Sequence, residues 1–252
     1  MRITWVGHST VLLELDGVRL VTDPVLRSRV THLRRTGTAD TTQLNGVDAA
    51  LISHVHYDHL DLDSLRSLGP PRTIVPTGAG DALRRRGFTD VVEVAEDEEL
   101  QLGGVTVRAT HAVHQARRIL GRIVPAIGYL VSGSSRAYFA GDTDVFDGME
   151  DLSPDLDVAL LPVAGWGPRV PEGHLDPARA ARALTLLRPR VAVPIHWGTY
   201  RRIGLPDVDD DTLREPAEAF ARLAEATTPD VDVRILEPGQ ATDVAMREDV
   251  PA

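Results

Sequence analysis

The hydrophobic positions near the start of the chain recur in short runs that are typical of strands. We predict strands over residues 3–6, 10–15 and 18–22. The dipeptide Asp16-Gly17 separates the last two strands and predicts a tight hairpin, because such turns favour this pair of residues. Residues 25–46 show no clear period, so we expect a long ordered loop there.

Apolar runs and amphipathic segments are mixed through the rest of the chain. Helices are predicted at 61–68, 79–86, 177–187 and 212–226, and strands at 48–53, 73–75, 91–94, 105–109, 129–132, 137–140, 158–162, 191–195 and 231–236. Asp176 is the expected N-cap of the third helix, with Pro177 at its first position. The mixture favours an α/β fold in which two sheets pack face to face with helices outside. We predict one domain over residues 1–240 and a loose C-terminal tail over residues 241–252.

The composition limits the chemistry that this chain can perform. All 27 basic residues are arginine, and there is no cysteine. Lysine Schiff bases, P-loop lysines, thiolate nucleophiles and zinc–thiolate sites are therefore excluded. Any bound metal must have nitrogen and oxygen ligands.

The formal charge of -10 disfavours nucleic acid as a partner, because nucleic-acid binders present a basic face that releases counterions. We expect a small-molecule substrate instead, and a homo-oligomer is compatible with the sequence. No signal-peptide pattern and no apolar run of about 18 residues is found, so we expect no stable membrane insertion and a cytoplasmic location.

The segment SHVHYDHL, residues 53–60, places three histidines and one aspartate within six residues. It follows a buried apolar run, and ligand sites in open α/β sheets occur at such strand ends. His54 and His56 point the same way in an extended segment, whereas Asp58 and His59 follow on a turn. Neutral imidazole and carboxylate bind zinc and also suit iron and manganese. The spacing predicts two donors for one ion and two for a neighbouring ion.

The motif HVHYDH resembles the H-x-H-x-D-H signature of the metallo-β-lactamase superfamily. The segments FAGDT at 139–143 and PIHWGT at 194–199 resemble the family's later metal-binding segments in the same chain order. WVGHST at 5–10 and TDP at 22–24 resemble the opening of one branch, which includes ascorbate-phosphate lactonases and phospholipase D-type enzymes acting on N-acyl phosphatidylethanolamine. The resemblance covers most of residues 1–200 and implies a four-layer αββα sandwich.

Carried over residue by residue, the resemblance implies a two-metal site. Its ligands would be His54, His56, Asp58, His59, His114, Asp142 and His196, with Asp142 shared by both ions. The segment ATHAVH at 109–114 leaves His111 as an alternative to His114. The branch often carries Pro-Ala-x-His at this place, which favours His114 and would leave His111 either to contact the ligands from behind or to serve packing.

The same resemblance implies a reaction. Two divalent ions, in the first place Zn²⁺ with Mn²⁺ or Fe²⁺ as alternatives, would share a hydroxide that attacks an ester-like bond. A lactone or a phosphodiester in a small anionic substrate is expected, and Asp58 would take or deliver the proton. The alternative is a metal-binding sensor without turnover.

Further residues are candidates for contact with the substrate or with the metal ligands. They are His8, Asp23, His111, His174 and Arg118. Arginines at 27–35 and 117–122 either grip an anionic group of the substrate or balance surface carboxylates.

Overall fold

The structure is a computed structural model that describes residues 1–69, 72–152, 154–165, 170–205 and 209–245, with the backbone alone at residues 118 and 119. The strands in chain order are β1 (Arg2–Gly7), β2 (Thr10–Leu15), β3 (Val18–Thr22), β4 (Arg29–Val30), β5 (Leu33–Arg35), β6 (Ala49–Leu51), β7 (Arg72–Pro76), β8 (Val91–Val94), β9 (Glu99–Leu102), β10 (Val105–Thr110), β11 (Arg117–Ile119), β12 (Arg122–Val124), β13 (Gly128–Ser132), β14 (Arg136–Phe139), β15 (Val158–Pro162), β16 (Val191–Ile195), β17 (Tyr200–Arg202), β18 (Asp232–Val233) and β19 (Ala241–Asp243). The helices are α1 (Leu62–Ser67), α2 (Gly80–Arg84), α3 (Pro177–Leu187) and α4 (Asp210–Thr227).

Two seven-stranded sheets of mixed direction form the body of the fold. Their strand orders are β19-β1-β2-β3-β6-β7-β8 and β18-β16-β15-β14-β13-β10-β9. A three-stranded sheet, β17-β5-β4, and the hairpin of β11 and β12 stand apart from them. The predicted α/β architecture is confirmed.

The first sheet is apolar on both faces. In β2, Val11 and Leu13 belong to the core shared with the second sheet, whereas Leu12 belongs to a core that includes Leu65 of α1 and Leu83 of α2. Successive side chains of a strand point to opposite faces, so both faces of this sheet must be covered. On the other side of the sandwich, α3 and α4 pack against β15 and β16 of the second sheet.

Capping residues fix where the helices begin. Asp176 accepts a hydrogen bond from the backbone N–H of Arg179 at 2.8 Å, and Pro177 opens α3, as predicted. Asp61 caps α1 in the same way, so this helix starts directly after the histidine cluster. Among the described residues, no helix combines the length and the apolar character that a bilayer crossing requires.

Several short strands lie where the sequence predicted none. Residues 25–46 were expected to be a loop, but they contain β4 and β5, and β5 pairs with β17. Residues 117–124, for which no strand was predicted, form the hairpin of β11 and β12. Strands of two or three mostly polar residues are too short to show a hydrophobic period. They are strands because they pair with neighbouring strands, which the local sequence does not reveal.

The prediction of a loose tail is wrong for its first residues. Ala241–Asp243 forms β19, which pairs antiparallel with β1, and Arg2 and Asp243 form an ion pair of 3.0 Å. This strand supplies partners for the backbone groups of β1, which would otherwise be a sheet edge. Residues 246–252 of the predicted tail lie outside the described part of the chain. The predicted strand at 231–236 is also shorter, at Asp232–Val233.

Candidate metal centre

The candidate site lies where the carboxyl ends of strands from both sheets meet. Strands that share one direction within each sheet end at the same edge, and the site residues follow those ends. His8 follows β1, Asp23 follows β3, residues 54–59 follow β6, His114 follows β10, Asp142 follows β14, His174 follows β15 and His196 follows β16. These strands belong to the packed core, so the framework holds the side chains in fixed relation.

A first group of donors consists of His54, His56 and His114. The Nε2 atom of His54 lies 2.9 Å from Nδ1 of His56, and Nε2 of His114 lies 3.1 Å from the same atom. Nitrogen donors of one tetrahedral zinc ion stand roughly 3.3 Å apart, given Zn–N distances of about 2.0–2.1 Å. These two separations are close to that value and the three donor atoms lie within 4.8 Å of one another, so the group can hold one ion.

A second group consists of Asp58, His59 and His196, with His8 beside them. Oδ2 of Asp58 lies 3.9 Å from Nε2 of His59 and 3.8 Å from Nε2 of His196. One donor atom from each of the four residues lies within 4.8 Å of the others. All four side chains are buried. This group can hold a second ion.

Asp142 lies between the two groups. Its Oδ2 is 3.2 Å from Nε2 of His59 and 3.9 Å from Nε2 of His54, and its Oδ1 is 3.5 Å from Nε2 of His196. One carboxylate thus faces donors of both groups. The resemblance to the metallo-β-lactamase superfamily implied such a shared position for Asp142.

Hydrogen bonds to the far side of the rings fix the tautomers of the histidines. Nδ1 of His59 donates to Oδ2 of Asp23 at 2.7 Å, and Nδ1 of His114 donates to the carbonyl of Gly173 at 2.7 Å. Nδ1 of His54 lies 2.9 Å from Oγ of Ser53, which donates in turn to Asp23 at 2.5 Å. With Nδ1 protonated, each of these rings directs the lone pair of Nε2 into the site.

Three of the site residues have left-handed backbone conformations that are uncommon outside glycine. The φ angles are 55° at His8, 32° at Asp23 and 63° at His196. Such conformations cost roughly 1–2 kcal/mol each and persist only where the surroundings hold them. Three such conformations at one edge of the fold indicate that the contacts made by these side chains outweigh the backbone cost.

The environment keeps most of the histidines neutral. Burial lowers the pKa of His54, His114 and His196, and it lowers the pKa of His56 to about 4. Neutral imidazole is the form that binds metal. These rings are therefore ready for coordination without first losing a proton.

His59 is the exception. Burial opposes its protonation, but the carboxylates of Asp142, Asp58 and Asp23 outweigh burial and raise its pKa well above the usual range. In Asp58 and Asp142 burial is likewise outweighed, here by the surrounding imidazoles, so the pKa of each carboxyl is well below its usual range. The centre of the site is thus a place where a positive charge is stabilised.

The donor set fits divalent metal ions. Oδ1 of Asp142 is buried and makes no hydrogen bond within the described part of the chain. Buried polar atoms without a hydrogen bond are costly unless something else satisfies them. Imidazole and carboxylate donors suit Zn²⁺, Mn²⁺ and Fe²⁺, so the residues present match the implied ions without choosing among them.

His111 does not join the site. Its ring is exposed, Nδ1 donates to Oε2 of Glu96 at 2.9 Å, and the ring edge lies against Phe146. Of the two histidines that the sequence left open, the structure brings His114 to the donors. Of the two roles left to His111, contact with the ligands is not found in the described part of the chain, since the hydrogen bond to Glu96 directs the ring outward and it packs against Phe146.

The remaining candidates are placed at different depths. His174 lies at the rim, with Nε2 3.6 Å from Oδ2 of Asp142 and its ring against that of His114. Asp23 lies behind the ligands, as its bonds to Ser53 and His59 show. Arg118 is in β11, and its side chain lies outside the described part of the structure.

Two of the arginines in the first arginine-rich segment are engaged within the fold. Arg27 pairs with Asp61 at 3.1 Å and with Asp63 at 2.8 Å. The guanidinium of Arg35 is buried and donates to the carbonyl of Val6 at 2.6 Å. These contacts hold both guanidinium groups to the protein.

Sequence reasoning gave no role to Ser53 and Gly173. Ser53 connects His54 to Asp23, and the carbonyl of Gly173 orients His114. Ser53 directly precedes the metal-binding motif, which is the signal that could have identified it. A backbone carbonyl 59 residues away from its partner carries no signal in the sequence.

Comparison with known proteins agrees with this geometry. A family model described as a β-lactamase superfamily domain matches residues 18–197. An uncharacterised protein of Mycobacterium tuberculosis is 35% identical, over 96% of this chain and 68% of that protein. The N-acyl-phosphatidylethanolamine-hydrolyzing phospholipase D 1 of Caenorhabditis elegans is 33% identical, over 88% of this chain and 69% of that protein. A metal-dependent hydrolase of Methanopyrus kandleri is 32% identical, over 96% of this chain and 99% of that protein.

Solved structures share the fold. A metallo hydrolase from Ignicoccus hospitalis superposes with a TM-score of 0.72 at 24% identity, over 96% of this chain and 97% of that one. CmlA, a diiron β-hydroxylase from Streptomyces venezuelae, superposes with a TM-score of 0.76 at 21% identity, over 96% of this chain and 54% of that one. The chain therefore belongs to the metallo-β-lactamase superfamily, as the resemblance of its signature segments predicted.

Proposed function

We propose that this chain is a metal-dependent hydrolase that holds two divalent ions and cleaves an ester-like bond, a lactone or a phosphodiester, in a small anionic substrate. The observation that carries the proposal is the position of Asp142 between two groups of donors. Membership of the superfamily and the metal-dependent hydrolase among the relatives support hydrolysis.

The chain's residues would hold the ions in two adjacent subsites. His54, His56 and His114 form the first subsite, and Asp58, His59 and His196 form the second. Two bound ions would lower the pKa of a water between them and stabilise negative charge on the reacting group. We take Zn²⁺ as the first candidate, with Mn²⁺ and Fe²⁺ as alternatives, since the donors are nitrogen and oxygen and one structural neighbour is a diiron enzyme.

Asp58 is the residue that we expect to move the proton. Its carboxyl is ionised, because the neighbouring imidazoles outweigh burial and lower its pKa. The carboxylate is therefore an acceptor that can take a proton from the attacking water and deliver it to the leaving oxygen.

Arg117 supports an anionic substrate. Burial first, and then the nearby imidazoles and the Arg117 guanidinium, lower the pKa of His56, so the charge of Arg117 reaches the site. A guanidinium can bind phosphate or carboxylate in bidentate fashion. The relative named as a phospholipase D favours the phosphodiester alternative.

The test begins with protein freed of metal and reconstituted separately with Zn²⁺, Mn²⁺ and Fe²⁺. We expect two ions per chain and hydrolysis of bis(p-nitrophenyl) phosphate, of a simple lactone, or of both. Asp142→Ala should abolish this turnover, whereas Asp230→Asn, at an exposed position of the surface, should preserve it. Binding of two ions without hydrolysis of either probe would favour the alternative, a metal-binding sensor, and failure to bind metal would overturn both.

A further inference from the structure

We propose that His8 supplies an additional nitrogen donor to the second metal subsite, that of Asp58, His59 and His196. The inference rests on the proposed function, because it concerns one of the two ions. It makes the second subsite richer in imidazole than the signature motifs alone indicate.

The distances place His8 within this subsite. Nε2 of His8 lies 3.5 Å from Oδ2 of Asp58, and its ring centroid lies 4.0 Å from that of His196 and 5.4 Å from that of His59. A donor atom of each of the four residues lies within 4.8 Å of the other three. Three nitrogens and one carboxylate oxygen are a common ligand set for a divalent ion.

The backbone around His8 is held in place from several sides. The N–H of His8 donates to Oγ1 of Thr199 at 2.6 Å. Its carbonyl accepts from Nε1 of Trp5 at 2.8 Å and from the N–H of His196 at 2.9 Å. His8 and His196, on different sheets, are thus joined directly through the main chain.

The backbone conformation of His8 is uncommon for a residue other than glycine. His8 has a φ angle of 55°, which glycine or asparagine adopts at lower cost. The side chain is nevertheless 1% exposed and directed at Asp58. A turn alone would be better served by another residue, so the strain points to a role of the imidazole in the site.

Gly7 strengthens this interpretation, because the turn leaves little room for adjustment. A Cβ atom at Gly7 would lie 2.5 Å from a guanidinium nitrogen of Arg35 and 2.9 Å from Cγ2 of Thr199. The Gly7–His8 corner is therefore fixed before any ion binds. A preorganised donor loses little freedom on coordination.

The experiment measures metal binding, separately from turnover. Metal-free wild type, His8→Asn and His8→Ala are titrated with Zn²⁺ against a chromogenic chelator, with His32→Ala as the matched control at an exposed histidine. We expect both His8 variants to lower the affinity for one of the two ions by more than about 100-fold. This exceeds the usual effect of replacing a residue that only orients a ligand. The affinity for the other ion should be unchanged, and His32→Ala should bind both ions as wild type does.

X-ray absorption of the Zn²⁺-loaded proteins then separates a donor from an orienting residue. In His8→Asn one of the histidines that bind the two ions is lost. The number of imidazole ligands, averaged over the two ions, should therefore fall by about 0.5. An unchanged imidazole count would overturn the proposal, even if affinity fell. His8→Asn keeps a residue that tolerates the left-handed backbone, so a folding defect confined to His8→Ala does not affect the test. Uptake of a single ion by wild type would contradict the two-metal function, while the imidazole count of that ion would still test His8.

Discussion

Asp23 and His59 form a fully buried pair, in which Nδ1 of the imidazole donates to Oδ2 of the carboxylate at 2.7 Å. The same carboxylate accepts from the backbone N–H of Ser53 at 2.7 Å and from its hydroxyl, which lies 2.9 Å from the His54 ring. One residue behind the site therefore orients a histidine in each of the two subsites. The first sheet supplies this residue from the end of β3, next to the strand that carries the metal-binding motif.

Replacing Asp23 should lower the affinity for both ions together. In Asp23→Asn the neutral amide can no longer act as a charged acceptor for both the Ser53 hydroxyl and Nδ1 of His59. The Nδ1–H tautomers of His54 and His59 are therefore less stabilised. We expect metal affinity to fall by about 10- to 100-fold at both subsites. Competition titration with Zn²⁺ measures this, with Asp230→Asn as the control. A loss restricted to one ion would show that the Ser53 connection does not orient His54.

The close approach of Gly141 and Ser53 makes a second prediction. A Cβ atom at Gly141 would lie 2.5 Å from Cβ of Ser53, and the φ angle there is 59°. Gly46 has a similar φ angle of 70°, but a Cβ atom added there would meet no described atom within 4 Å, so Gly46→Ala is a control for the backbone cost alone. We expect Gly141→Ala to destabilise the fold by about 1–3 kcal/mol more than Gly46→Ala, because crowding in a packed region adds to the backbone cost.

The same substitution should also affect metal binding. Gly141 directly precedes Asp142, so relief of the clash would move that carboxylate away from the donors after β6. Urea unfolding of the metal-free variants and Zn²⁺ titration measure the two effects separately. Equal stability and equal affinity in the two alanine variants would contradict the packing argument.

The metal-binding motif could be predicted from the sequence because its information is local. His54, His56, Asp58 and His59 lie within one short segment after an apolar run, and strand geometry places alternate side chains on one side. Asp142 and His196 were identified through the resemblance of their segments. The structure brings all six to the same edge, because parallel strands of both sheets end there.

The contacts around the motif could not be predicted in this way. His8 and His196 are 188 positions apart and are joined by one backbone hydrogen bond, and β19 reaches β1 across nearly the whole chain. Such pairings depend on how the two sheets pack, and no periodicity in the sequence encodes that packing. The strained φ angles at His8 and Asp23 follow from the same long-range constraints.

Asp16 gives a prediction for the dependence of stability on pH. Its carboxylate accepts from the N–H of Ser134 at 2.7 Å and from the hydroxyl at 2.5 Å, which connects the β2–β3 hairpin to the β13–β14 hairpin. The Ser134 hydroxyl and then its N–H lower the pKa of Asp16 from the ordinary 3.8. Because the folded-state pKa is lowered, the stabilisation is present above pH 3.8 and disappears as the pH falls through the folded-state value.

Urea unfolding from neutral pH down to about pH 2 tests this linkage. Wild type should exceed Asp16→Asn in free energy of unfolding near neutral pH, and the difference should vanish in acid. Asparagine tolerates the φ angle of 51° at this position, so the comparison reports the charge rather than the turn. A difference that stays constant over the whole range would show that ionisation of Asp16 is not involved.

Arg117 should control the affinity for anionic substrates. It lies at the base of the β11–β12 hairpin, is exposed, and contributes to the lowered pKa of His56 together with burial and the neighbouring imidazoles. In Arg117→Gln we expect KM for bis(p-nitrophenyl) phosphate to rise about tenfold, or about 1.4 kcal/mol, with kcat little changed, because the lost contact favours substrate and transition state alike. Hydrolysis of an uncharged lactone should be unaffected. Arg122→Gln is the matched control, since Arg122 lies on the same hairpin but pairs with Asp81 at 3.2 Å. A rise in KM for both probes, or an equal rise in the two variants, would contradict this prediction. It would show that Arg117 maintains the conformation of the hairpin rather than binding the charge of the substrate.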